Sequence, residues 1–408
     1  MRDARDEAWQ FASGMGFVLL LAIAMVVAIV ARRLALPYTI GLILVGLAIA
    51  LAKVEIGATL THDFIFYVVL PPLLFEAALV LGWRDLRADA GVLMALSTLG
   101  TVIAAAFVAV GAAFLMHWPL PVAFVFGALI AATDPVAVIA MFKDNGVGGR
   151  LRTLLEAESL FNDAAAAILF SLALGLNNPA TLNAGAIGIG LVWSVCGGAL
   201  IGGACAGAAI LLASRSREHV VEVALTVLAA YGAFLAGEQA HASGILATVV
   251  AGLVVGNIGV FSERTSISEK AKEFALEFWD FAAFLANSAV FPLIGLAIGA
   301  TVFAPGAALL FAAMIALVLA ARAVSVYPIS LLFSRTRQAL PASFQHVLWW
   351  GGLRGALALA FALSLPQTLA HREEIIVTTF AVVAFSIIAQ GLTMPLLLRR
   401  LGIVGAPT

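Results

Sequence analysis

Apolar stretches of eighteen or more residues recur from one end of this 408-residue chain to the other, and each stops at Pro, Gly, Asn or a charge. A helix of about 20 such residues crosses ~30 Å of hydrocarbon. Hydrophobic residues make up 63% of the chain and charged residues 11%, too few charges to coat a soluble protein of this size. The two-residue alternation of barrel strands is missing, so a transmembrane barrel is not supported. The reading is an all-α polytopic membrane protein of about thirteen helices. Its spans are placed near 10–30, 38–53, 61–82, 89–116, 119–141, 152–176, 184–213, 218–237, 242–257, 273–299, 303–333, 342–365 and 373–398. The charged stretch Ser262–Lys272 is expected to lie along the membrane surface.

Basic residues orient the spans. With the N-terminus outside, sixteen of the 22 Lys and Arg fall in inner segments. Four, Arg2, Arg5, Lys53 and Arg372, fall in outer ones, and Arg322 and Arg354 are left inside helices. This bias follows the positive-inside rule and predicts a multi-pass protein of the plasma (inner) membrane with a cytoplasmic C-terminus. Arg2 and Arg5 alternate with Asp3, Asp6 and Glu7, unlike a signal peptide. Eight residues follow Arg400, and the expectation is one membrane domain over 1–408 without a cytoplasmic regulatory domain. The composition points to the lipid bilayer as surroundings and to neither a nucleic acid nor a soluble partner.

An ionisable side chain at mid-membrane costs a few kcal/mol and marks function by default. Glu76, Asp134, Glu158, Asp163, Arg322 and Arg354 all fall well inside spans. Four acids face two bases, and protons or bound cations are the partners available to the surplus.

In Thr133-Asp134-Pro135 the proline removes a backbone donor and disfavours helical geometry at Asp134. A break here frees carbonyls and exposes two half-helix ends, the device with which transporters meet ions at mid-membrane; a plain proline kink is the other reading. In Glu158-Ser-Leu-Phe-Asn-Asp163, residues four apart share a helix face. Ser159 and Asp163 therefore point one way, and Glu158 and Asn162 about 100° round from them. The division assigns Asp163 and Ser159 to an ion and ties Glu158 and Asn162 to a neighbouring helix. Arg354 lies among glycines in Trp350-Gly-Gly-Leu-Arg-Gly355, which suggests a second interrupted segment. Its guanidinium stays charged and needs a carboxylate, for which Glu158 is selected. Arg322 is read as a structural or electrostatic support with no partner assigned. Glu76, after Pro71-Pro72, is either an oxygen ligand or proton acceptor, or a shallow water-facing residue.

Cys196 and Cys205 lie on one helix, ~13 Å apart by rise alone, and cannot bridge each other. Small residues at Gly197–Gly207 suit close helix packing. The six histidines fall in loops or at span ends and form no metal pair at helical spacing, although His219 or His346 could tune a pH response.

These residues resemble the electroneutral branch of the cation/proton antiporter superfamily, the NhaP-type bacterial exchangers and the animal sodium/proton exchangers. The resemblance runs through Pro71-Pro-Leu-Leu-Phe-Glu76, Thr133-Asp-Pro135, Glu158-Ser-Leu-Phe-Asn-Asp163, Ser243-Gly-Ile-Leu-Ala247 and Ala251-Gly-Leu-Val-Val-Gly-Asn257. It continues through Ala321-Arg-Ala-Val-Ser-Val-Tyr327, Gly351-Gly-Leu-Arg-Gly-Ala356 and Gln390-Gly-Leu-Thr-Met394. It implies two inverted six-helix repeats around the seventh helix, with crossing, unwound helices 5 and 12. It also implies a homodimer in which a core slides against a dimerisation domain. The core would take helices from about 61–176 and 273–299 with part of 303–398, and the dimerisation domain about 10–53 with part of 184–257. Carried across, Asp163 resembles the cation/proton carboxylate, while the Thr133 carbonyl, Ser159 and Glu76 resemble further cation ligands. Asp134, beside Pro135, resembles the neighbour that shapes the crossing. Asn162 before Asp163 resembles the Asn-Asp motif of the electroneutral branch, and Glu158 with Arg354 the structural ion pair. Ala164-Ala165 stands where relatives often carry Gly-Thr.

The expectation is a secondary antiporter, not an enzyme and without a cofactor. Its cargo would be Na+ (or Li+) against H+, one for one, by an elevator-like movement. A K+/H+ antiporter of the same fold is the alternative, and a cation channel a weaker one because no ring of acids repeats. An intramembrane aspartyl protease could nominally use Asp134 and Asp163, but no peptide-handling motif accompanies them. A carrier of organic anions would favour basic residues at the centre.

Overall fold

The computed structural model describes residues 18–31, 33, 37–54, 59–144, 146–177, 184–216, 218–260, 269–301 and 306–404. Among them every extended regular element is helical. They are α1 (Val18–Ala31), α2 (Tyr38–Leu51), α3 (Phe64–Leu79), α4 (Ala90–Met116), α5a (Leu120–Ala131), α5b (Val136–Asp144) and α6 (Arg150–Leu176). The second half holds α7 (Ala184–Ala213), α8 (His219–Gln239), α9 (Gly244–Val260), α10 (Glu269–Ala300) and α11 (Ala308–Leu332). α12a (Ala342–Trp350), α12b (Ala356–Leu363) and α13 (Arg372–Arg400) complete it. Eight segments, among them α5a with α5b, are long and apolar enough to cross a membrane. The thirteen expected spans are recovered, the fifth and twelfth each in two pieces. Residues 10–17 of the first span lie outside the described residues. So does most of Ser262–Lys272, whose last four residues form the first turn of α10 instead.

Proline starts both interrupted helices. Pro119 precedes α5a and Pro341 precedes α12a, where a missing N–H costs nothing and the fixed φ suits a first turn. Several hydroxyl side chains within the apolar helices bond back to their own backbone, as with Ser97 to Leu93 O (2.8 Å) and Thr248 to Gly244 O (3.0 Å). The twelve residues of α5a rise ~18 Å and the nine of α12a ~13 Å, which puts both breaks near the middle of a ~30 Å slab.

Two packing groups are visible. α2 lies along α10, α3 along α9, and α7 and α8 pack on α9. α4, α5a, α6, α11 and α13 form the other group, with the two breaks between them. Numbering the halves α1–α6 and α8–α13, the contact of α2 with α10 and that of α9 with α3 are counterparts of each other, as an inverted repeat requires. The first is made at glycine: a Cβ on Gly46 would stand 2.1 Å from Pro292 O, and one on Gly295 2.1 Å from Ile43 O. In the seventh helix Gly198 and Gly202 meet Ser243, just before α9, and Ala247 within it, so one face of the small-residue stretch serves close packing while a Cβ on Gly203 or Gly207 would meet nothing within 4 Å. α3 and α10 pack with α2 and α9.

Candidate ion-binding site

The two breaks meet. Residues 132–135 separate α5a from α5b and residues 351–355 separate α12a from α12b. The Asp134 N–H donates to Leu353 O at 2.7 Å, joining the two unwound strands directly. Four half-helix ends converge here, two carrying unpaired N–H groups and two carrying unpaired carbonyls.

Each end has a charged partner. The Asp134 carboxylate accepts the Val136 N–H at 3.1 Å, capping α5b, and lies against Gly355 and the Ala356 N–H at the start of α12b. One anion thus serves two positive helix ends. Glycine is required opposite it, because a Cβ on Gly355 would lie 2.1 Å from Asp134 Oδ2. The buried Arg354 guanidinium donates to Ala131 O (2.7 Å) and Ala132 O (3.0 Å), the terminal carbonyls of α5a. Arg322 does the same for α12a through Leu348 O (3.0 Å from Nη2). The Arg354 N–H donates to Ser386 Oγ, Ser386 to Gln390 Oε1, and Gln390 Nε2 to Trp350 O, which fixes the second break against the π-helical turn of α13.

One assignment is corrected by this geometry. Glu158 pairs with Arg322, not Arg354, through two parallel bonds of 2.8 Å between fully buried groups. The planar fork of Arg322, coming from α11, meets the carboxylate bidentately. Arg354 turns its Nη1 to the α5a carbonyls instead. Arg322, left without a partner on sequence grounds, therefore finds it 164 residues away.

Thr133, Ser159, Asn162 and Asp163 come together beside the crossing. Ser159 Oγ donates to Thr133 O, Asn162 Nδ2 donates to Thr133 Oγ1 at 3.2 Å and lies 3.4 Å from Glu158 Oε1, and the Thr133 N–H reaches the Asp163 carboxylate. Asp163 Oδ1 is buried and has no hydrogen-bond partner. With Glu158 matched by Arg322 and Asp134 facing the same crossing as Arg354, Asp163 and Glu76 are the carboxylates the permanent charges leave over.

Asp163 opens onto a cavity of about 1000 Å³ between the two packing groups. One wall carries Asp134, Ser159 and Asp163, and the other carries Tyr38, Glu76 and Asn287. Glu76 thus lies at the same cavity as Asp163. Lys143 of α5b and Asp280 of α10 bridge the walls at 3.0 Å, and Arg152 pairs with Glu156 at 2.8 Å nearby. Glu76 is in no ion pair among the described residues. Of the expected site only Asn162 and Thr133 stand behind the lining. Tyr38 and Asn287 were missed by sequence reasoning, since neither is charged or set in a recognisable motif. His346 lies within α12a, 2.8 Å from the Tyr327 hydroxyl, not at a span end. No cluster of three or more His, Cys, Asp or Glu suited to a resident metal occurs among the described residues.

Two broken helices crossing at mid-membrane beside an uncompensated carboxylate define a secondary-transporter architecture. The model of the transmembrane sodium/hydrogen exchanger family matches residues 19–400, and the chain belongs to that family. It is 38% identical over 380 residues to the Na+/H+ antiporter ApNhaP of Aphanothece halophytica, covering 91% of this chain and 70% of that protein. It is also 38% identical over 402 residues to the Na+/H+ antiporter NhaG of Bacillus atrophaeus, covering 95% and 75%. Its fold is that of the sodium proton antiporter MjNhaP1 of Methanocaldococcus jannaschii, with a TM-score of 0.77 at 21% identity over 96% of this chain and 99% of that one.

Proposed function

We propose that the chain exchanges sodium for protons across a membrane, with Asp163 as the group both cargoes share. The observation that carries this is Asp163 Oδ1, buried, unpartnered and facing the cavity that Glu76 also lines. A proton neutralises that carboxylate by binding one oxygen. A sodium ion does so with help from hard oxygen donors, which Ser159 and Glu76 supply and Thr133 supports through its carbonyl.

Occupancy by one excludes the other, and only the neutralised site crosses the apolar barrier. One carboxylate then returns one proton per monovalent cation, so exchange is electroneutral. The body that moves is α4–α6 with α11–α13, and the scaffold is α2, α3 and α7–α10. This division follows the packing and draws α3 and α10 away from the core. Two copies assembled through the scaffold would hold it still in the bilayer. The cavity mouth carries Lys143, Arg152 and Arg399, the basic side, so the site faces the cytoplasm here.

Reconstituted vesicles carrying a pH-sensitive dye test the reading. Dissipation of an imposed pH gradient on adding Na+ or Li+ is expected, and none with the Asp163→Asn protein at equal incorporation. A response to K+ alone would make the cargo potassium. Exchange surviving Asp163→Asn would move the site elsewhere.

A further inference from the structure

Building on this reading, we infer that Asn287 supplies a neutral oxygen ligand to the transported cation from the scaffold wall, opposite Asp163, and so separates cation binding from proton binding. The residue is 7% exposed and lines the same cavity as Asp163, Ser159 and Glu76. Asn287 Oδ1 is buried without a hydrogen-bond partner, the same condition as Asp163 Oδ1 on the facing wall. Tyr38, at the first turn of α2, stands beside the Asn287 side chain in the same lining.

An orphaned buried carbonyl is disfavoured unless something electropositive arrives. A partly dehydrated alkali cation wants several hard oxygens at once. A proton needs one carboxylate oxygen and gains nothing from an amide across the cavity. Asn287 therefore strengthens the cation's hold and leaves the proton's untouched. Because Asn287 belongs to α10 and Asp163 to α6, they face each other only while the two packing groups stand as they do here, which makes the amide a ligand of this state of the carrier.

The test compares wild type with Asn287→Ala, Asn287→Ser and Tyr38→Phe in proteoliposomes, reading KM for Na+, kcat and the pH profile at saturating Na+. Purified protein is also titrated with Na+ by thermal shift. For Asn287→Ala the expected result is a rise of about tenfold in KM and in the half-stabilising Na+ concentration, the loss of one charge-assisted contact. The kcat and the pH profile stay put. Asn287→Ser, which keeps an oxygen on a shorter arm, and Tyr38→Phe are expected to shift KM less. An unchanged KM overturns the inference, and so does a fall in kcat without a change in KM, which would make Asn287 structural. Should Asn287→Ala not be recovered folded, Asn287→Ser against Tyr38→Phe gives the same decision. A wild type that fails to exchange Na+ in these vesicles sinks the proposed function; an active wild type with an indifferent Asn287→Ala sinks only this assignment.

Discussion

Glu158 and Arg322 show how a buried charge pair is held and what it costs to break it. Neither side chain has water to fall back on, and their 2.8 Å fork replaces hydration. Glu158→Gln alone leaves a buried guanidinium uncompensated and is expected to destabilise the protein by about 3–5 kcal/mol. The combination of Glu158→Gln with Arg322→Met should recover much of that loss, read as unfolding temperature in detergent. Asp163 behaves differently, because its surplus charge is the point of the site. If protons and sodium compete there, apparent KM for Na+ rises as pH falls, by up to about tenfold per pH unit once the site is mostly protonated. A pH-independent KM would separate the two binding events.

The broken helices carry the argument at the scale of elements. Asp134 closes two helix ends at once, and Asp134→Ala should weaken both by about 0.5–2 kcal/mol each, as lost caps do. Faster hydrogen exchange at the Val136 and Ala356 amides together is the signature; exchange rising at only one would mean the ends are held separately. Gly355→Ala drives a methyl into that carboxylate and is expected to disturb the crossing while leaving the helices formed. The first break was legible in the sequence, since Asp134 precedes proline and the physics of that pair is local. The second was legible in the glycines around Arg354. The pairing of Glu158 was not, because helix periodicity tells which residues share a face and says nothing of which helix that face meets. Asn287 escaped for a related reason: a neutral amide becomes notable only when burial strips it of partners.

At the scale of the whole molecule, the two packing groups meet across a cavity and are bridged at its mouth by Lys143 and Asp280. Replacing Ala140 in the lining by cysteine, in a chain whose Cys196 and Cys205 are alanine, should allow labelling by a membrane-impermeant maleimide from the basic side. Sodium-driven proton flux in vesicles should be indifferent to an imposed potassium diffusion potential. A flux that follows voltage would contradict one-for-one exchange. Thirteen hydrophobic spans and the charge bias between their loops were readable from composition, whereas the grouping of α3 and α10 with α2 and α9 emerged only from glycine contacts hundreds of residues apart.

The four cut ends at the crossing each already hold a resident ion of opposite sign: Asp134 on both amide termini, Arg354 and Arg322 on the carbonyl termini. A chloride, a phosphate or an organic acid that passed Lys143, Arg152 and Arg399 at the mouth would find the helix ends of the crossing already occupied. Rejection of anions is thus wired into the scaffold of the crossing itself, before any choice among alkali metals is made.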